Sequence, residues 1–188
     1  EPIRDASQRT VSKMIEMLPP LNQDSRVVDF GAGFGGAARY LAKRFGCYVA
    51  AVNLSERQNE RDREMNREQG LDHLIDVHDA SFEETTCEDE SFDVVWSEDS
   101  ILHSGDREKV LREAWRVLKP GGHLIFTDPM QKEDAPAEQL QPIYDRIQLD
   151  SLASFEFYRK EAKKVGFKEI EIVDMSDQLP RHYGRVKK

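Results

Sequence analysis

From Arg26 onward, short apolar runs of strand length alternate with longer stretches in which apolar residues recur every three or four positions. These are the two periodicities of strand and helix. Arg26–Phe30 is an apolar run that ends in glycines, the pattern of a buried strand. Gly36–Phe45 has helical spacing, with Tyr40, Leu41 and Phe45 as apolar positions. Tyr48–Asn53 reads as a second strand. Ser55 can cap a helix that runs to about residue 69, where Gly70 stops it. Residues 74–78 and 92–97 predict a third and a fourth strand, the latter carried by Phe92, Val94, Val95 and Trp96. Asp106 can cap a helix through Leu118; Lys119-Pro120-Gly121-Gly122 is a turn, and 123–127 is a fifth strand. Helical stretches follow near 138–148 and 154–165, and 168–173 alternates like a sixth strand. Ahead of the series, residues 1–25 form an amphipathic helix and loop, with Val11, Met14, Ile15 and Leu18 on one face and Pro19-Pro20 ending it.

This βαβ series predicts an α/β fold, a mostly parallel sheet with helices on both faces. No internal repeat or low-complexity segment interrupts it. The length, 188 residues, suits one domain, and 38% hydrophobic residues supply one sizeable core. The longest apolar runs are far too short to span a bilayer, and no signal peptide pattern opens the chain. It begins at Glu1 rather than Met, which leaves an upstream piece open.

Charge narrows the classes further. With 27 basic and 36 acidic residues the net charge is −9, and the pI is about 5.1. Binding phosphate backbones needs a basic patch, so no nucleic-acid partner is expected, nor any membrane partner. The acidic surplus reads as solubility or, alternatively, as adaptation to a salty cytoplasm. Cys47 and Cys87 make no disulfide framework, which suits a reducing, cytoplasmic setting. No metal is expected: His73 and His78 sit five apart without another ligand in view, and a surface role suits them better.

The strongest motif is Val27-Val28-Asp29-Phe30-Gly31-Ala32-Gly33-Phe34-Gly35-Gly36. Glycines at a strand's carboxyl end let the backbone turn sharply and let a ligand approach without Cβ clashes. The helix that follows offers free N–H groups and the positive end of its dipole. Gly31, Gly33 and Gly36 satisfy the dinucleotide pattern G-x-G-x-x-G, while Gly31, Gly33 and Gly35 satisfy the G-x-G-x-G pattern of methyltransferases. Asp29 can orient the turn. Asn53 ends the second strand, where dinucleotide enzymes usually carry an acid, and both Asn53 and Gln58 can bond a ribose hydroxyl. Two further blocks follow in order, Ser91-Phe92-Asp93-Val94-Val95-Trp96-Ser97 and Arg116-Val117-Leu118-Lys119-Pro120-Gly121-Gly122.

These blocks, at this spacing, resemble class I S-adenosylmethionine-dependent methyltransferases from about residue 26 to 174. The resemblance implies a Rossmann-like, doubly wound sheet, with S-adenosyl-L-methionine as cofactor and S-adenosyl-L-homocysteine as product. It implies that Asp29 reaches the aminoacyl end and that Gly31, Ala32 and Gly33 lie under the methionine part. Asn53 and Gln58 would hold the ribose with Leu54 beside them; Ser81 and Phe82 would border the adenine, and Trp96 and Ser97 would floor the methyl-transfer site. Two positions depart from the family pattern: Asn53 replaces the usual ribose acid, and Ser81 replaces the usual Asp, Asp79 lying two residues earlier. The implied division is one core domain over 1–188, with a cofactor-binding half at 26–130, a helical insertion over the acceptor site at 131–165, and a terminal strand and tail at 166–188.

The acceptor is read from the loop Ser97-Glu98-Asp99-Ser100-Ile101-Leu102-His103-Ser104. Asp99 can attract an ammonium group. His103 can accept its proton, because a protonated nitrogen has no lone pair to attack a methyl group. The alternative is that His103 caps or packs a short helix. Arg146 can hold a carboxylate or phosphate bidentately, or pair with a neighbouring acid on the surface. Tyr144, Phe155, Phe157 and Tyr158 can face a methylated ammonium or simply fill the core. Residues 31–41, 99–104, Thr127-Asp128-Pro129-Met130 and 141–147 are similar to sarcosine/dimethylglycine N-methyltransferases, which make glycine betaine, an osmolyte. That similarity implies a small amino-acid acceptor, direct in-line transfer, catalytic roles for His103 and Asp99, and acceptor binding by Arg146, Tyr144, Asp99 and Met130. The Asp-x-x-x-His loop is similar to phosphoethanolamine methyltransferases as well. An NAD-dependent oxidoreductase and a non-catalytic cofactor-binding domain remain as rivals. The family's N-terminal lid and seventh strand are not found in these 188 residues; the resemblance implies that the lid carries further acceptor residues, a tyrosine partner for His103 among them.

Overall fold

The computed structural model describes residues 3–175. Its elements run α1 (Ile3–Glu16), β1 (Arg26–Phe30), α2 (Gly36–Phe45), β2 (Tyr48–Asn53), α3 (Glu56–Glu68), β3 (Ile75–Asp79), β4 (Phe92–Glu98), a one-turn 3-10 segment (Ile101–His103), α4 (Arg107–Val117), β5 (Leu118–Thr127), α5 (Ala137–Ile147) and α6 (Phe155–Val165). The five strands pair in the order β3-β2-β1-β4-β5, all parallel. The chain builds outward from β1 through β2 to β3, then returns to lay β4 on the other side of β1. The carboxyl ends of β1 and β4 therefore meet at the topological switch point, where open α/β sheets bind ligands.

Alternation along the strands divides the interior in two. Val27, Val49, Ala51, Val94 and Trp96 pack with Val11 and Met14 of α1 and Ala38 and Leu41 of α2. Val28, Phe30, Ala50, Val52 and Val95 pack with Val110, Leu111 and Ala114 of α4 and Tyr158 of α6. Successive side chains point to opposite faces, so one apolar run feeds both cores. Each fully buried large side chain, such as Leu41 or Phe30, contributes about 1.5–3 kcal/mol. The caps fall where short polar side chains precede helical runs. Ser55 accepts from the Gln58 N–H at 3.4 Å, Asp106 from Lys109 at 2.9 Å and Ser154 from Phe157 at 3.1 Å. Among the described residues no helix is long and apolar enough to cross a membrane.

Two expectations are corrected. Lys119-Pro120-Gly121-Gly122 does turn, with Gly121 at φ +82°, but inside a strand: β5 starts at Leu118, and the pairing jumps from Phe92↔Leu118 to Val94↔His123. The extra residues are absorbed as an irregularity rather than ending the ladder. Residues 168–173 form no strand. Ile170 and Ile172 are half-buried as the alternation predicts, but period 2 reports which face is buried and not whether a partner strand lies alongside. The expected tail lies beyond residue 175, outside the described residues.

Candidate functional site

The glycine turn leaves β1 beneath the end of β2. The N–H groups of Gly31 and Ala32 both donate to the Val52 carbonyl, at 2.9 and 3.2 Å, and Gly35 N–H donates to Ala32 at 2.8 Å. Gly31, Gly33 and Gly35 lie at φ +81°, +56° and +69°, a region costly for residues with a Cβ. At Gly31 space is also short: a Cβ there would meet Ser100 Cβ and Oγ at 2.4 Å and Phe82 Cε1 at 3.5 Å. The first turn of α2 carries no acidic residue and its cap makes no side-chain hydrogen bond, which leaves N–H donors facing the turn. Asp29 is buried one residue before Phe30. Burial first, then the charges of Glu98 and Asp62, hold its carboxyl well above the ordinary aspartate range.

The expected ribose residues come together. Asn53 Nδ2 donates to Gln58 Oε1 at 3.1 Å and to Asn59 Oδ1 at 3.0 Å. Asn59, wholly buried, donates in turn to the Asn53 carbonyl at 2.8 Å and to Asp79 Oδ1 at 2.7 Å. Asp79 also takes Arg63 at 2.6 Å, and these two donors lower its pKa. Leu54 stands out from this network, 68% exposed. An open hollow of about 490 Å³ lies beside it, lined by Phe34, Ser55, Arg57, Gln58 and Arg61. Phe82 stacks on Phe30, centroids 6.2 Å apart and rings 17° from parallel. The Ser81 hydroxyl accepts from Glu83 N–H at 3.1 Å.

Trp96 and Ser97 are placed otherwise than expected. Both are wholly buried and present no surface as a floor. The Trp96 indole packs in the α1–α2 core and donates to Glu98 Oε1 at 3.1 Å, while the Ser97 hydroxyl donates to the Phe30 carbonyl at 2.8 Å.

Loop 97–104 is tied both to the glycine turn and to the segment that follows Phe82. Ser100 Oγ donates to the Gly31 carbonyl at 3.2 Å and the Glu98 carbonyl at 2.9 Å. Glu83 Oε1, just after Phe82, accepts from Ser104 Oγ at 2.6 Å and from the N–H of Gly105 at 3.1 Å. Asp99, at φ +46°, donates its N–H to Thr127 O at 2.8 Å, and its Oδ1 accepts from the Thr127 hydroxyl at 3.0 Å. Asp99 and His103 are exposed at this rim. Tyr144 is buried against Leu102 and Leu152 and donates to Gln131 Oε1 at 2.5 Å. Met130 is half-buried against the α4–α6 core, and Arg146 is exposed on α5, two residues beyond Tyr144.

Two carboxyls here escaped the sequence reading. Burial, with Asp99 adding repulsion, pushes Glu98 up to about 7. Burial likewise raises Asp128 to about 7, although Tyr158 donates to its Oδ2 at 2.5 Å. No local pattern marks either, because the cause is what packs around them. Between the ordinary carboxylate pKa and about 7 the native state holds protons that the unfolded chain has released. Stability therefore falls as pH rises through that window and levels off above it. Asp128→Asn keeps an oxygen for Tyr158 and cannot ionise. The wild type is expected to lose about 5 °C more in Tm between pH 5 and pH 8 than this variant does. Parallel melting curves at the two pH values would show that Asp128 does not titrate there. Among the described residues no group of three or more His, Cys, Asp or Glu is arranged to hold a metal ion.

Comparison with known proteins bears on this geometry. A family model described as a methyltransferase domain matches residues 28–126. The sarcosine/dimethylglycine N-methyltransferase of Halorhodospira halochloris is 59% identical over 188 residues, all of this chain and 67% of that protein. A crystal structure from Galdieria sulphuraria, assigned as a sarcosine dimethylglycine methyltransferase, superposes with a TM-score of 0.94 at 41% identity, covering 99% of this chain and 71% of that one. Phosphoethanolamine N-methyltransferase 2 of Haemonchus contortus, in complex with S-adenosyl-L-methionine, superposes with a TM-score of 0.85 at 27% identity, over 95% and 42% of the two chains.

Proposed function

The chain belongs to the S-adenosylmethionine-dependent methyltransferase family, and on that premise we propose that it methylates the nitrogen of sarcosine and dimethylglycine towards glycine betaine. The observation that carries this reading is 59% identity along the whole chain to an enzyme named for that reaction. The residues present suit the cofactor. Nothing lies within 4 Å of the Cβ position at Gly33, which leaves that side of the turn open for a ligand to approach the backbone. Asn53 and Gln58 offer amides at the ribose position, Leu54 and Ser81 stand beside them, and Phe82 offers a ring for the adenine.

When bound, the cofactor supplies a methyl group already activated on a sulfonium, so the protein's share is alignment and exclusion of water. Arg146 holds the acceptor's carboxylate, with Tyr144 and Met130 as walls. Asp99 draws the ammonium. His103 would take the nitrogen's proton and leave its lone pair free to accept the methyl group. Asp29 serves the aminoacyl end. A small-molecule acceptor, no nucleic-acid or membrane partner, and a cytoplasmic setting belong to the same reading. The acidic balance and the two free, buried cysteines support it.

Arg146→Ala is expected to raise KM for the acceptor by about 10- to 100-fold, the worth of a charge-assisted pair, with adenosylmethionine affinity unchanged. Steady-state kinetics with acceptor varied would remove Arg146 from the site if KM held. The function itself is tested with labelled adenosylmethionine and a panel of glycine, sarcosine, dimethylglycine and phosphoethanolamine. Label on sarcosine or dimethylglycine is the expected result. Label on phosphoethanolamine alone would favour the second reading, which the Asp99-x-x-x-His103 loop supports. Label on none, with cofactor bound, would discard the acceptor and keep the family.

A further inference from the structure

Behind the glycine turn lies a buried polar cluster that the reading above does not use. Arg39 of α2 donates from one terminal nitrogen to Asp62 Oδ1 at 2.5 Å and to Asn66 Oδ1 at 2.9 Å, both on α3. Its other terminal nitrogen donates to the carbonyl of Phe34. The Arg39 and Asp62 side chains are 9% and 1% exposed. Asp62 also presses on the turn directly, since a Cβ at Gly35 would meet its Oδ1 at 2.0 Å.

The position of that carbonyl matters. Phe34 sits between Gly33 and Gly35, both left-handed, and three glycines in five residues leave a turn with much conformational freedom to lose. Phe34 also lines the hollow beside Gln58. The guanidinium is a rigid fork that grips α3 with one arm and the turn with the other, which a lysine ammonium cannot do in the same geometry.

We propose that Arg39, anchored by Asp62 and Asn66, is a positioning residue for the cofactor: it fixes the Phe34 carbonyl and so holds turn 31–35 in the shape that receives S-adenosylmethionine. The inference rests on the family assignment and makes no use of the acceptor. It gives the buried charge pair a role in binding, where its net worth to stability alone would be small.

The test is calorimetric binding of S-adenosylhomocysteine to the wild type and to Arg39→Lys. The variant is expected to bind about tenfold more weakly, with faster amide exchange confined to residues 32–36 and the acceptor KM at saturating cofactor unmoved. A merely structural role would lower Tm and leave the dissociation constant alone, and that result overturns the proposal. Should Arg39→Lys not fold, Asn66→Ala removes one anchor while Asp62 keeps the charge paired. An increase of about threefold in the dissociation constant is then expected, and an unchanged value counts against the proposal equally. A wild type that binds no S-adenosylhomocysteine at all would sink the family premise, and the proposal with it.

Discussion

Gly31→Ala is expected to weaken cofactor binding about 30- to 100-fold. Two independent costs add. The backbone at φ +81° charges an alanine roughly 1–2 kcal/mol. The new Cβ also lands 2.4 Å from both Ser100 Cβ and Oγ, so either the turn or the acceptor loop must move and the Ser100–Gly31 hydrogen bond breaks, a further loss of about 1 kcal/mol. At 1.4 kcal/mol per decade the two approach a hundredfold before any clash with the ligand is counted. Gly33→Ala is the internal control. Its φ is +56° and nothing lies within 4 Å of its Cβ position, so only the conformational cost applies and about tenfold is expected. Titration of both variants with S-adenosylhomocysteine decides the matter. Equal affinities would mean that Ser100 yields freely and the crowding at Gly31 has no consequence.

His103→Ala is expected to lower kcat about a hundredfold near pH 7, the ordinary worth of a positioned general base. The sign of its pH dependence separates the base from a packing residue. As pH rises, solvent itself deprotonates more of the acceptor ammonium, and the variant closes on the wild type; at neutral pH the gap is widest. A loss of constant size from pH 7 to 10 would assign His103 to support of the 3-10 turn.

The strands were legible because one apolar run has to serve two cores, and that requirement writes itself into four or five consecutive residues such as Arg26–Phe30. Ser55 and Asp106 were legible as caps because capping is settled within one turn of chain. The glycine turn was legible because positive φ selects glycine. Asn53 and Gln58 were read as reaching one ligand, and they lie 3.1 Å apart because a strand end and the next helix's first turn are neighbours whatever surrounds them. What failed depended on distant packing. The alternation at 168–173 is silent on whether a partner strand exists. Trp96 was read as part of the floor, but Val94 and Trp96 of β4 face the α1–α2 core. Glu98 and Asp128 carry no signature because their protonation is set by burial. Arg39 and Asp62 stand 23 residues apart, and nothing in either helix predicts that they meet behind Phe34.

The one Ser100 hydroxyl proton is shared between the Gly31 and Glu98 carbonyls, so the loop proposed to select the acceptor leans on the turn proposed to receive the cofactor. A catalyst built this way cannot be respecified piecemeal. Substitutions at 99–104 that admit a bulkier amine would also shift the cofactor's dissociation constant, and by linkage any gain in acceptor affinity on cofactor binding returns as an equal gain in the other direction. Selection for a new acceptor would then meet its first resistance as a shortage of bound methyl donor, and the compensating changes would arise at Phe82, Glu83 or the glycine turn rather than around the new substrate.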